Sequence, residues 1–174
     1  PLEPRIPELL RTPSGMIELA PELLIDDVAR LYADQAARRP SMNGDRTLVL
    51  DGRRDLRSNN SWMHNVDVLV KGKERCTVHV HPTDAARNGI TDGAAVIVAS
   101  GIGKVELPAE VTDAIMPGVV SIPHGWGHNA DGAQLRVARR RPGVNSNVLA
   151  DTERFDPLSG NAVLNGIPVT LTAV

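Results

Sequence analysis

Aromatic side chains are nearly missing from this sequence. They make up 2% of 174 residues, namely Trp62, Trp126, Tyr32 and Phe155. Hydrophobic residues stand at 41%, so a core has to be aliphatic, drawn from runs such as Ala-Ala-Val-Ile-Val at 94–98. Cysteine is almost absent too. Cys76 alone excludes a disulfide framework, a self-contained zinc ribbon and an iron–sulfur cluster. It opens an alternating segment and is expected to be a small core residue. Neither sign of charge is in excess: the formal net charge is −2 and the pI about 6.2. No basic field therefore attracts nucleic acid or a membrane surface. The short cluster Arg139–Arg141 reads either as a solvated loop or as a contact to a phosphate or another domain. No apolar stretch approaches the roughly 20 residues of a transmembrane helix, and no signal peptide is visible. A cytoplasmic location is expected. The chain opens on Pro1 without methionine, so a processed or excised segment with missing neighbours is expected.

The first 45 residues read as an extended arm followed by a helix. Pro1, Pro4, Pro7 and Pro13 stiffen the arm, and Pro21 suits the first turn of a helix over 21–39. Leu24, Val28 and Leu31 recur at helical spacing. The acids Glu22, Asp26 and Asp27 lie early and the bases Arg38 and Arg39 late, matching the helix dipole, and Pro40 stops the helix.

The remaining residues, 46–174, form the second expected domain and have a β pattern. Short runs stand at 47–50, 66–70, 77–80, 95–98, 104–107, 119–122, 135–137 and 168–171, parted by Gly, Pro and Asn. Such spacing argues for a closed barrel or a sandwich. Gly101 and Gly103 mark a tight turn. Thr83-Asp84-Ala85 precedes Gly89 by the same interval as Thr112-Asp113-Ala114 precedes Gly118, with a β run after each glycine. Asp or Thr can cap one helical turn and the glycine can end it. Two such copies suggest a barrel with internal two-fold pseudosymmetry; the rival reading is coincidence in a chain rich in these residues.

Three polar segments interrupt the strands. The first, 52–65, includes Arg57, Asn59, Asn60, Ser61, Trp62 and His64. Amides donate and accept at once, and arginine offers a charged fork to phosphate, so this density suits a heterocycle edge and a diphosphate. The plain alternative is a surface loop of Asx turns, though a fully solvated loop has little use for indole. The second, 122–129, places glycines on both sides of Trp126 and spaces His124 and His128 by four. Those glycines make a helical metal pair improbable. His79 and His81 alternate on a strand and read as packing or hydrogen-bonding residues. The third segment, 142–161, lacks periodicity, and its length implies function or disorder. Its embedded Val148, Leu149, Phe155 and Leu158 argue against simple disorder.

Arg-Ser-Asn-Asn-Ser-Trp-Met-His-Asn at 57–65, Pro-His-Gly-Trp-Gly-His at 123–128, and Asn-Ser-Asn-Val-Leu-Ala-Asp with Asp-Pro-Leu-Ser-Gly over 145–160 resemble one family. It is the carboxy-terminal domain of bis-molybdopterin guanine dinucleotide oxidoreductases, which include dimethyl sulfoxide reductases, formate dehydrogenases and nitrate reductases. His-Pro-Thr-Asp-Ala through Gly-Ile-Thr-Asp-Gly at 81–93 is similar to its barrel core. The resemblance covers about residues 46–174, and the helix at 21–39 resembles the segment leading into that domain. It implies a mainly β, six-stranded double-psi β-barrel. It also implies a cofactor, molybdopterin guanine dinucleotide, with Mo or W held by other domains of the same oxidoreductase. Arg57, Asn59, Asn60, Ser61, Trp62 and His64 are the dinucleotide contacts it implies. His124, Trp126 and His128 would lie near the pterin, and Asn147 would match the asparagine before Val-Leu. Relatives often carry threonine where this chain has Ala150.

The family's metal ligand and cysteine cluster have no match here, so the chain is expected to position a cofactor and not to catalyse alone. The competing function is a non-catalytic double-psi barrel that recognises substrates for an ATPase-type machine. A pyruvoyl-dependent decarboxylase needs a Gly-Ser cleavage point, which the chain lacks. A histidine-based metal hydrolase is a third reading.

Overall fold

The computed structural model describes residues 2–38 and 47–174. The chain divides into two compact units, Pro1–Gly44 and Asp45–Val174. In the first, helix α1 runs over Glu22–Arg38. Leu24 and Ile25 donate their amides to the Pro21 carbonyl, so the proline stands at the start of the helix as its lack of an N–H favours. Asp27 and Arg30, one turn apart, pair at 2.6 Å. The expected late Arg39 and the stop at Pro40 lie outside the described residues.

The second unit is a closed six-stranded barrel. Its strands are β1 (Leu48–Arg53), β2 (Val78–Val80), β3 (Ala95–Ala99), β4 (Lys104–Val111), β5 (Val119–Pro123) and β6 (Ile167–Ala173). They close in the order β1-β5-β2-β4-β3-β6. The pairs β1–β5 and β2–β4 are parallel, and the other pairings are antiparallel. Alternation decides which side chains fill the interior. On β4, Val105, Leu107 and Ala109 are buried, while Lys104, Glu106 and Pro108 face out. The core joins Leu48, Leu50, Val78, Val80, Val96, Val98, Val120, Ile122, Val169 and Leu171 with no aromatic residue, as the composition requires. Each such side chain contributes about 1.5–3 kcal/mol by leaving water. Cys76 is buried, and its sulfur accepts from the Val144 amide at 3.3 Å.

Helix α2 (Asp67–Val70) follows a 3-10 turn at Trp62–Asn65, where the sequence suggested a strand over 66–70. Of that apolar run only Val70 is buried, and a short apolar run does not by itself distinguish strand from helix. Leu135-Arg136-Val137 is likewise no strand. The Asn65 side chain accepts from the amides of Val137 and Ala138 at the entry to a 3-10 turn over Ala138–Arg140. Arg141 donates to the carbonyls of Val70 and Gly72, so one member of the arginine cluster ties loops together.

The two repeated motifs diverge in shape. The first is helix α3 (Pro82–Asn88), which ends at Gly89 with φ +66°. Its N-cap is His81, whose Nδ1 accepts from the Thr83 amide, in place of the expected Asp or Thr. The second is only a turn, with the Thr112 hydroxyl accepting from the Ala114 amide and Gly118 at φ +83°. The copies are joined directly: the buried Asp84 carboxylate accepts from the Gly118 amide at 2.6 Å.

Candidate functional site

Because β1 and β5 are parallel, the segments that leave their carboxyl ends, 54–65 and 124–129, emerge at one end of the barrel. Strand β6 runs antiparallel to β1 and starts opposite Leu50, so residues 164–166 reach the same rim. There the Asn165 side chain accepts from the Gly52 amide at 2.8 Å. The third polar segment joins them. Its Leu149 is fully buried in the core cluster, and a Cβ added at Gly103, in the β3–β4 turn, would meet the Val148 carbonyl at 2.1 Å.

Two glycines set how closely these segments approach. Gly125, at φ +95°, presses on Asn60 so tightly that a Cβ would sit 2.0 Å from the Asn60 carbonyl oxygen. Gly127, at φ +108°, is held close to Asn145, so that a Cβ added at Gly127 would sit 2.7 Å from the Asn145 Cβ. Asn59 and Asn60 both adopt positive φ, +43° and +60°, which asparagine tolerates better than most side chains. All three polar segments thus share one rim, with Ser61, Trp126 and Asn147 on neighbouring loops.

The expected site residues sort into two groups. His64, Trp126 and His128 are buried at 0%, 6% and 7% exposure and act on one another. His64 Nδ1 lies 2.7 Å from His128 Nε2, its Nε2 lies 2.7 Å from Ser58 Oγ, and its ring stacks on Trp126 at 4.0 Å. Burial first, then the neighbouring His128 and Arg75, push His64 down to about 4. Burial also lowers His128. The cluster is a neutral pin between loops. Trp126 Nε1 is buried with no hydrogen-bond partner among the described residues.

The second group faces solvent. Asn59, Asn60 and His124 line one recess with Arg54, Asp55 and Ser58. His124 and Asn147 line an adjoining one with Gly52, Arg54, Ser146, Ala150, Leu164, Asn165 and Ile167. Arg57 and Trp62 are exposed on the first loop, Trp62 at 81%, and Ser61 is half-buried; none of the three lines these recesses. Sequence reasoning passed over Arg54, Ser146 and Asn165. Strand parity could have found Arg54, because Leu48 and Leu50 face the core and the same side of the chain, continued past the rim, reaches Gly52 and Arg54. Arg53, on the other side, is spent on Thr77, donating to its carbonyl and hydroxyl.

No group of three or more His, Cys, Asp or Glu among the described residues could hold a metal ion. A flat ligand with an anionic middle fits better. The recesses offer amides to a heterocycle edge, a guanidinium and imidazole to phosphate, and apolar backing from Ala150, Leu164 and Ile167.

A closed barrel with a polar, cation-bearing cleft on one rim defines a ligand-holding domain. The chain belongs to the family described as Molydopterin dinucleotide binding domain, whose model matches residues 48–168. It is 30% identical over 164 residues to dimethyl sulfoxide reductase DmsA of Escherichia coli, which covers 86% of this chain and 19% of that protein. It is 31% identical over 114 residues to a tetrathionate reductase subunit of Salmonella typhimurium, covering 56% of the chain and 11% of the relative. Acetylene hydratase from Pelobacter acetylenicus has a similar fold, with a TM-score of 0.68 at 20% identity over 94% of this chain and 24% of that one. The chain thus spans about a fifth of the length of the curated relative DmsA. Membership settles the choice between a cofactor domain and an ATPase recognition module in favour of the first. It gives the cofactor class as molybdopterin guanine dinucleotide. Among the described residues no helix is long and apolar enough to cross a membrane.

Proposed function

We propose that residues 46–174 are a double-psi barrel that holds the dinucleotide part of a molybdopterin cofactor within a larger oxidoreductase, with residues 1–45 leading into it. The double-psi reading is supported by the two parallel pairings, β1–β5 and β2–β4, in an otherwise antiparallel ring. The observation that carries the functional reading is the meeting of three polar loops and the start of β6 at one rim.

In this proposal Asn59, Asn60, His124 and Asn147 contact the ligand directly. Arg57, Ser61 and Trp62 sit on the same loop and approach the ligand or the remainder of the parent enzyme. His64, Trp126 and His128 hold the loops in position. When bound, the cofactor supplies the redox chemistry through its metal and dithiolene, while this domain binds and orients it. The remaining domains of the parent enzyme are its partners and complete the cofactor's enclosure. A cytoplasmic location is part of the same proposal and is checked by fractionating cells that make the parent protein.

The proposal is tested by titrating guanosine diphosphate, a stand-in for the nucleotide end, into millimolar protein while amide resonances are followed. Weak binding is expected, with shifts concentrated at 58–61, 124 and 146–150. Shifts scattered over the barrel's outer face, or heat of mixing indistinguishable from dilution, would overturn it.

A further inference from the structure

Resting on the cofactor reading above, we infer that Arg54 and His124 take the diphosphate of the dinucleotide, with Asn60 holding the guanidinium in place. The two recesses at the rim are separate in most of their lining, and Arg54 and His124 are the residues they share. A dinucleotide has the same plan, two polar ring systems joined through an anionic bridge. The bridge belongs at the shared wall, where the cation stands. Asn59 and Asn60 face the group on one side, and Asn147 and Asn165 face the group on the other.

Arg54 is available for this task. It donates through Nη1 to Asn60 Oδ1 and, among the described residues, is in no ion pair with a carboxylate. A guanidinium carries five N–H donors, so one bond to an amide oxygen leaves the others free for phosphate oxygens. Asp55 also lines the first recess, but its carboxylate accepts from the Arg57 amide at 2.8 Å and stands 3.8 Å from Arg75 Nε. Arg75 therefore balances that negative charge from behind. Asn60 directs the fork through its Oδ1, and its backbone packs directly against Gly125.

The test compares guanosine, guanosine monophosphate, guanosine diphosphate and inorganic pyrophosphate on the wild-type chain, Arg54→Ala, Arg54→Lys and Asn60→Gly. Glycine accepts the positive φ at position 60, so that change removes the amide without backbone strain. Affinities come from calorimetry or amide shifts, with melting curves confirming that each variant is folded. Wild type should bind the diphosphate at least about tenfold more tightly than guanosine, as charge-assisted bonds imply. Arg54→Ala should erase that gap, Arg54→Lys should keep part of it, and Asn60→Gly should fall between. An Arg54→Ala variant with the wild-type preference for diphosphate overturns this inference alone. A wild-type chain that binds neither guanosine diphosphate nor pyrophosphate overturns the cofactor reading, and this inference with it.

Discussion

His64 and His128 face each other across 2.7 Å in the interior of the rim, one from the loop after β1 and the other from the loop after β5. Burial of the pair, with the two rings so close, makes the rim sensitive to acid. His64 titrates near 4 when folded, against an ordinary 6.5, so the folded state binds fewer protons than the unfolded chain between those values. The stabilisation is complete above about pH 6.5 and is lost as pH falls toward 4. Burial lowers His128 and His79 as well, which adds to the same trend. Melting curves from pH 7.5 to 4.5 should show a falling Tm below pH 6.5, and His64→Gln should flatten that fall.

Gly125 tests how tightly the loops are clamped. An alanine there must adopt φ +95° and push its Cβ into the Asn60 carbonyl. Strain and overlap together should cost about 2–5 kcal/mol. Urea unfolding measures the loss, and a guanosine diphosphate titration should show weaker binding in any protein that still folds.

At the seam between the two repeated motifs, Asp84→Ala leaves the Gly118 amide without its acceptor. The expected loss is about 2–4 kcal/mol, since a charge-assisted bond disappears and a donor is left unpaired. Asp84→Asn keeps an acceptor oxygen and should lose less. Denaturant midpoints separate the three proteins.

Trp126→Phe retains a ring over His64 while deleting an indole N–H that has no partner among the described residues. Losing an unsatisfied buried donor offsets the smaller ring, so the stability should stay within about 1 kcal/mol of wild type. A loss well beyond that would show that the N–H has a partner in solution.

Much of this was legible in the chain because period-two alternation is strict where one face is buried. Val78 and Val80, Val96 and Val98, and Val105 and Leu107 each announce an inward face. Val66–Val70 alternates as well, yet it folds as a helix, because only Val70 reaches the interior and nothing local records that. The rim loops were visible as amide-rich breaks between strands. Which of their residues line the rim recesses was not visible. His64 and His124 look alike in sequence, but one is sealed against Trp126 and the other opens on both recesses. That distinction arises from the parallel pairing of β1 with β5, which joins positions about seventy residues apart.

The order β1-β5-β2-β4-β3-β6 returns to its starting strand, so each of the six strands has a neighbour on both sides. A foreign strand therefore finds no edge strand of the barrel to extend, which removes the usual seed for fibrillar stacking. Whatever docks on this domain has to be recognised by loops and side chains.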